Sequence, residues 1–249
     1  MLDVIVEASR FLKEEDRTTI FTPAARPEPP SVIKLYRRRG CWNTVRGWLV
    51  RYRAEREYRR LRFLEDRGIA CTRALGWAHG YAPEHGFYEV LATERIPDAT
   101  DLETVIRAGG RPDLGVLIGM VRRMHRQGFR HQALYARNVI TTRGGSRWRF
   151  YIADVPRARV FPYDLTGTRM ARLDFADLFA SLLGAGLPEA ALRFDAWGIP
   201  PLEQLRIRRT LARYSKSRPR RILRDIECRC RHAFACAATA LLSLPLPPA

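Results

Sequence analysis

The stretch Met124-His125-Arg126-Gln127-Gly128-Phe129-Arg130-His131-Gln132-Ala133-Leu134-Tyr135-Ala136-Arg137-Asn138-Val139-Ile140 decides how the rest of the chain is read. It joins the end of an amphipathic helix to a glycine stop, a short polar loop and a β-rich run. Just upstream, Leu114, Leu117, Ile118, Val121 and Met124 recur at helical spacing. They predict a helix over 112–127 with Gly128 as its C-terminal stop. Downstream, 139–142 and 148–153 read as strands around Gly144-Gly145, a hairpin. Asp154 stands at the end of the second strand. A helix is expected over 173–183, with Asp174 and Asp177 on its first turns, and the remainder reads as mostly helical.

Further outward, towards the N-terminus, 101–107 reads as a short helix and 97–100 as a crossover linker. Before the linker the periodicity changes to that of strands. Strands are expected over 18–22, 31–36, 75–79 and 87–96, the last two joined by a Pro/Gly turn at 83–86. One helix interrupts them over 51–67, where Tyr58, Leu61 and Leu64 share a face and Gly68 stops it. Residues 1–17 are expected to form a short helix through Phe11 and Leu12, 24–30 a Pro-rich loop, and 37–47 a basic connection carrying Trp42. The order predicts an α+β chain of two lobes. A small, mostly β lobe with one helix covers 1–97, and a larger, mostly α lobe covers 98–249.

The chain has 249 residues, of which 46% are apolar, enough for a globular core. Its net charge of +18 is unusual and implies attraction to polyanions: nucleic acid, an anionic membrane surface or a phosphorylated substrate. Almost all the basic residues are Arg; the lysines are Lys13, Lys34 and Lys216. Asparagine is limited to Asn43 and Asn138. The five cysteines are odd in number, and the opening residues lack the apolar core of a signal peptide, so a reducing, cytoplasmic setting is expected. Cys228, Cys230 and Cys236 lack a second ligand pair for a metal site. No run reaches the ~20 apolar residues of a membrane span. The dense arginines of 206–231, interspersed with Leu and Ile, suit either docking on anionic lipid or a solvated face.

Several positions suit phosphoryl transfer, which asks for positioning and charge neutralisation more than for covalent help. Lys34, on a strand, can reach phosphate oxygens as a point charge. A carboxylate of the next helix, Glu57 or Glu55, can hold that lysine. Asn138 and Asp154 offer an amide oxygen and a carboxylate to Mg²⁺, which favours few protein oxygens plus phosphates.

The loop His131-Gln132-Ala133-Leu134-Tyr135-Ala136-Arg137-Asn138 resembles the H-R-D-L-x-x-x-N catalytic loop of protein kinases, with Ala133 where the base aspartate stands. Over roughly residues 30 to 185 the chain resembles the lipopolysaccharide kinase (Kdo/WaaP-like) family. The residues that carry this are Val32-Ile33-Lys34, Glu57-Tyr58-Arg59-Arg60-Leu61-Arg62-Phe63-Leu64, Leu91-Ala92-Thr93-Glu94-Arg95-Ile96, the loop, Tyr151-Ile152-Ala153-Asp154 and Asp174-Phe175-Ala176-Asp177-Leu178. The resemblance implies a protein-kinase-like two-lobed fold and a kinase that uses ATP and Mg²⁺. It implies that Lys34 binds the ATP phosphates and pairs with Glu57. The backbone of Glu94, Arg95 and Ile96 would meet adenine, and Asn138 and Asp154 would hold magnesium. His131 would brace the loop, and Asp174 would be its structural partner. The implied acceptor is a sugar of the lipopolysaccharide core or another anionic glycolipid, met at the cytoplasmic face of the inner membrane.

Two departures stand out. No glycine precedes Gly40, so Lys34 has no Gly-rich phosphate loop before it. Ala133 cannot accept a proton, which leaves two readings: transfer that relies on lysine and metal, or a pseudokinase scaffold. Among residues that could stand in for the base, His131, Tyr135 and Asp113 are the candidates. A nucleic-acid reading rests on the arginines with Trp42, Trp48 and Tyr52, but no binding motif accompanies them, so no specific nucleic acid is expected.

Overall fold

A computed structural model describes residues 10–15, 18–22, 31–38, 52–82, 86–145 and 147–215. The Pro-rich 24–30 segment, most of the basic connection with Trp42 and Trp48, and the tail with Lys216, Cys228, Cys230 and Cys236 lie outside the described residues. So do the opening residues of the segment read as a leading helix.

The N-terminal part is one antiparallel sheet of five strands: β1 (Arg10–Glu15), β2 (Thr18–Thr22), β3 (Ser31–Arg38), β4 (Ala74–Ala82) and β5 (Gly86–Glu94). Their spatial order is β1-β2-β3-β5-β4, so β3 lies in the middle, with Lys34 opposite Ile20 on one side and Leu91 on the other. The helix expected near Phe11 is replaced by β1. Glu and Lys favour helix in isolation, but pairing with the strand that follows satisfies the backbone, and tertiary context outweighs propensity.

Helix α1 (Arg53–Glu65) packs on β4 and β5. Its Tyr52 cap makes no side-chain hydrogen bond. Buried Glu89 of β5 accepts the Ala54 N–H instead, at 2.8 Å, which ties the start of the helix to the sheet. Leu61 and Leu64 are fully buried, and Gly68, at φ +64°, ends the element.

After β5 the chain crosses through 95–99 into β6 (Thr100–Asp101), which pairs with β8 (Val139–Gly144). Asp101 caps α2 (Leu102–Arg107) and Asp113 caps α3 (Leu114–Arg126). Gly128 follows at φ +72°, where a β-carbon would meet the Phe161 carbonyl oxygen at 2.1 Å. That contact allows β7 (Phe129–Arg130) to pair with β10 (Arg159–Val160). A 3-10 turn (Ala136–Asn138) leads into the β8–β9 hairpin, whose second strand is Arg147–Ile152. Ile152 also exchanges backbone hydrogen bonds with Ala70 and Thr72, both at 3.0 Å, stitching the hairpin to the segment after α1.

Helix α4 (Arg169–Gly184), capped by Thr168, packs against α5 (Pro201–Ser215). α4 starts earlier than the expected 173, so Asp174 and Asp177 fall beyond its first turn. The stretch between α4 and α5 holds one 3-10 turn (Glu189–Ala191) rather than a helix. The core of this half is built from Leu117, Val121, Met124, Phe129, Leu134, Val139, Phe175, Leu178, Phe179 and Leu182, all 3% exposed or less. A mostly β half with one helix therefore sits beside a mostly helical half, the two-lobed kinase-like architecture.

Candidate active site

Lys34 is held where β3 meets α1. Its Nζ donates to Glu57 Oε1 at 2.7 Å and to Asp154 Oδ1 at 3.4 Å. The Glu57 side chain is 0% exposed, and Tyr36, two residues along the same face of β3, donates its hydroxyl to the other carboxylate oxygen. Burial disfavours the lysine charge, but Glu57 and then Asp154 outweigh it and hold the ammonium pKa above its usual value. Burial likewise pushes the Asp154 carboxyl up, yet Lys34, Arg53 and His131 bring its pKa below the ordinary range. Glu55, the other carboxylate considered for Lys34, pairs instead with Arg59 at 2.7 Å.

Asp154 follows β9 and adopts φ +56°, a left-handed conformation unusual outside glycine. Asn138 lies at the end of the 3-10 turn. Its Nδ2 donates to the Ala133 carbonyl at 2.8 Å, and its own carbonyl accepts from Ala153 N at 3.0 Å. The side-chain nitrogen is thereby fixed, and the amide oxygen is the end left for a cation.

His131 is fully buried and does not line the cleft. Burial lowers its pKa, so the ring is neutral. Its Nε2 donates to the Ala153 carbonyl at 3.1 Å, beside Asp154, and its backbone N–H donates to Asp174 at 2.8 Å. Asp174 also accepts from Gln132 N at 3.0 Å and from His125 Nε2 at 3.1 Å. One buried carboxylate of α4 thus ties together the loop and the end of α3. The backbone of Ala133 accepts from Tyr135 N as well as from Asn138, so its position is held although its side chain carries no base. Neither Tyr135 nor Asp113 lines the cleft, and Asp113 is engaged with Gly115 N at 2.9 Å as a helix cap.

Lys34, Arg53, Asn138 and Asp154 open on one cleft of about 750 Å³, within the range of small-molecule sites. Thr18, Ile20, Val32 and Lys34 form its roof. Glu94, Arg95, Ile96, Ala99, Thr100 and Asp101 form its back, and Arg137, Asn138, Ile140, Ala153 and Asp154 its floor. Arg53, Thr72 and Thr93 complete the lining. Lys34, Glu94, Arg95, Ile96, Asn138 and Asp154, singled out in the sequence, are all brought together here. Tyr36 and Arg53 were not singled out. The signal for each was spacing: Tyr36 is two residues from Lys34 on a strand, and Arg53 is one helical turn before Glu57.

The donor set fits a magnesium nucleotide. One amide oxygen and one carboxylate share the floor of the cleft, and a lysine stands above them, which matches the sparse oxygen ligation of Mg²⁺ alongside phosphates. Among the described residues no group of three or more His, Cys, Asp or Glu side chains forms a fuller metal cluster. No helix of the described residues is long and apolar enough to cross a membrane.

Comparison with known proteins bears on the fold and the family. A solved structure described as WaaP in complex with acyl carrier protein superposes with a TM-score of 0.52 at 23% identity, covering 94% of this chain and 90% of that one. That likeness is one of fold. No curated protein matches the chain. The sequence profile described as the lipopolysaccharide kinase (Kdo/WaaP) family matches residues 6–194, more than half of the chain. The chain therefore belongs to the lipopolysaccharide kinase (Kdo/WaaP) family.

Proposed function

We propose that this protein transfers the γ-phosphoryl group of ATP to a sugar hydroxyl of the lipopolysaccharide core. The observation that carries this reading is the trio of Lys34, Glu57 and Asp154, joined at 2.7 and 3.4 Å beside Asn138 in one cleft. Family membership supplies the acceptor class.

In this reading adenine lies against the backbone of Glu94, Arg95 and Ile96. The polyphosphate runs under β2 and β3 to Lys34, which Glu57 keeps extended and charged. Asn138 and Asp154 would hold magnesium, which would supply charge neutralisation at the phosphate oxygens. His131 positions the Ala153–Asp154 backbone rather than moving a proton, because its neutral ring is buried and already bonded to a carbonyl. The acceptor oxygen forms a bond to the γ-phosphorus as the bond to the β-phosphate oxygen breaks, and the hydroxyl proton passes to the transferred phosphoryl group or to water. No carboxylate near position 133 takes it. In a loose transition state little negative charge builds on the acceptor, so alignment and charge neutralisation do most of the catalysis. We place the lobe boundary in the crossover near 97–98, which makes segment 95–99 the hinge behind the cleft. The net charge of +18 suits an anionic glycolipid and work at the inner face of the cytoplasmic membrane.

Calorimetry of the full chain with Mg-ATP, followed by transfer of labelled phosphate to lipopolysaccharide core, tests the reading. Wild-type protein is expected to bind and transfer, and Lys34→Ala and Asp154→Ala to lose both. Binding without transfer would leave a nucleotide-binding scaffold, the reading that Ala133 favours. No binding at all would remove the nucleotide from the account.

A further inference from the structure

The cleft has a phosphate-binding problem that its motif residues do not solve. No glycine precedes Gly40, so no Gly-rich turn can bring backbone N–H groups over a polyphosphate ahead of Lys34. The roof strand β2 offers Thr18 and Ile20, neither of them basic. Lys34 itself is paired with two carboxylates, Glu57 and Asp154, so the trio carries a net negative charge. A magnesium nucleotide is an anion as well, and it needs positive charge from elsewhere.

Arg53 is placed to provide it. It is the first residue of α1, one turn before Glu57, and it lines the same cleft as Lys34, Asn138 and Asp154. Its guanidinium carbon lies 4.5 Å from the centre of the Tyr36 ring, a cation–π contact that orients the planar group. Among the described residues it forms no ion pair, unlike its helix neighbours Arg59 and Arg62. A positive side chain in the first turn of a helix also works against the helix dipole, whose positive end is there. The same field adds to the attraction for an anion.

The other arginines of the cleft are less suited. Arg95 lies just past the end of β5, four residues from Leu91, the partner of Lys34, and so about 13 Å from it along an extended chain. Arg137 lines the floor of the cleft but is exposed, and its guanidinium lies 5.2 Å from the ring of Tyr135, a residue that does not line the cleft.

We propose that Arg53 replaces the missing glycine loop and is the side chain that clamps the β- and γ-phosphates of the nucleotide. The proposal rests on the ATP reading of the cleft. A guanidinium offers five donors in a fork that matches phosphate geometry, and stacking on Tyr36 preorganises it. The chain Arg53–Tyr36–Glu57–Lys34 then links the clamp to the lysine through one ring and one carboxylate.

Calorimetry of the full chain with Mg-ATP, Mg-ADP and AMP tests it in wild type, Arg53→Met and Arg53→Lys. Arg53→Met is expected to weaken Mg-ATP binding by roughly tenfold to a hundredfold, the loss of charge-assisted hydrogen bonds, while AMP binding stays within about twofold of wild type. Arg53→Lys keeps the charge without the fork and should fall between. Should Arg53→Met fold poorly, the ATP-to-AMP ratio of Arg53→Lys decides the matter alone. An equal loss for all three nucleotides would show that Arg53 only supports the helix, and unchanged Mg-ATP affinity would show that it touches no phosphate; either overturns the clamp while the ATP reading stands. A wild-type protein that takes up none of the three would overturn the ATP reading itself, and the clamp with it.

Discussion

Glu57 is held from two sides, by the ammonium of Lys34 and by the hydroxyl of Tyr36, and water reaches neither oxygen. A buried carboxylate that loses a donor keeps its desolvation cost. Tyr36→Phe, which preserves the ring, is therefore expected to destabilise the protein by about 1–3 kcal/mol in urea unfolding. It should weaken Mg-ATP binding as well, because Glu57 no longer holds Lys34 in place. A Phe variant as stable and as tight-binding as wild type would reduce Tyr36 to packing. Ala133 makes the opposite kind of test. Its carbonyl holds Asn138 and Tyr135, so the loop keeps its shape without the missing carboxylate. Ala133→Asp should raise kcat for phosphoryl transfer by about tenfold at most, below the range for a positioned general base, because a loose transition state asks little of one, with little change in Mg-ATP affinity. An unchanged rate would mean that the proton is not what limits the reaction.

At the scale of elements, the junction between α3 and the catalytic-like loop depends on Gly128. The residue combines φ +72° with a backbone approach that leaves no room for a β-carbon. Gly128→Ala must both adopt a strained conformation and push away the Phe161 carbonyl. A loss of about 2 kcal/mol or more is expected in denaturant unfolding. Because β7 and β10 pair beyond that contact and β7 leads to His131, Mg-ATP affinity should fall too, whereas Gly119→Ala, inside α3 with nothing within 4 Å, should neither destabilise the protein nor weaken binding. The N-terminus of α1 shows how an element can be positioned without a local signal. Glu89, from a strand 35 residues away, accepts the Ala54 N–H, so sheet and helix together set how Arg53 meets the cleft and Glu57 meets Lys34.

For the whole molecule, Asp174 is the group through which the helical half senses acid. Burial pushes its pKa up, but the hydrogen bond from His125 and the positive charge of nearby Arg130 bring it below the ordinary carboxylate range. A carboxyl with a lowered folded pKa binds fewer protons folded than unfolded, so it stabilises the fold above about pH 4, and that contribution disappears as pH falls through the folded value. Asp174→Asn is expected to cost about 3–5 kcal/mol near pH 7, since it removes a fully buried charged partner. The deficit should shrink in urea titrations run from pH 5 down to pH 3. A gap between the two proteins that stays constant with pH would show that the ionised form of Asp174 contributes nothing.

The sequence alone determined the two-lobed α+β order, the ends of α1 and α3, and the motif positions Lys34, Asn138 and Asp154. These follow from local causes: periodicity, glycine stops, and loop lengths that separate motif residues by fixed numbers of elements. It also determined the two defects, Ala133 and the absent glycines, because both are matters of identity. It misread Phe11 and its neighbours as helix, because strand pairing with β2 is a contact between segments and not a propensity. It left Glu55 and Glu57 both open, and the packing of α1 on the sheet turned Glu57 to Lys34 and Glu55 to Arg59. It named three stand-ins for the base, and only the tertiary structure could place them: His131 is buried, Asp113 caps α3, and Tyr135 does not line the cleft. Spacing placed Tyr36 and Arg53 near the motif residues, but the tertiary structure decided what they do. Their roles depend on distances across the β3–α1 interface, and no spacing along one chain specifies which side chains meet there.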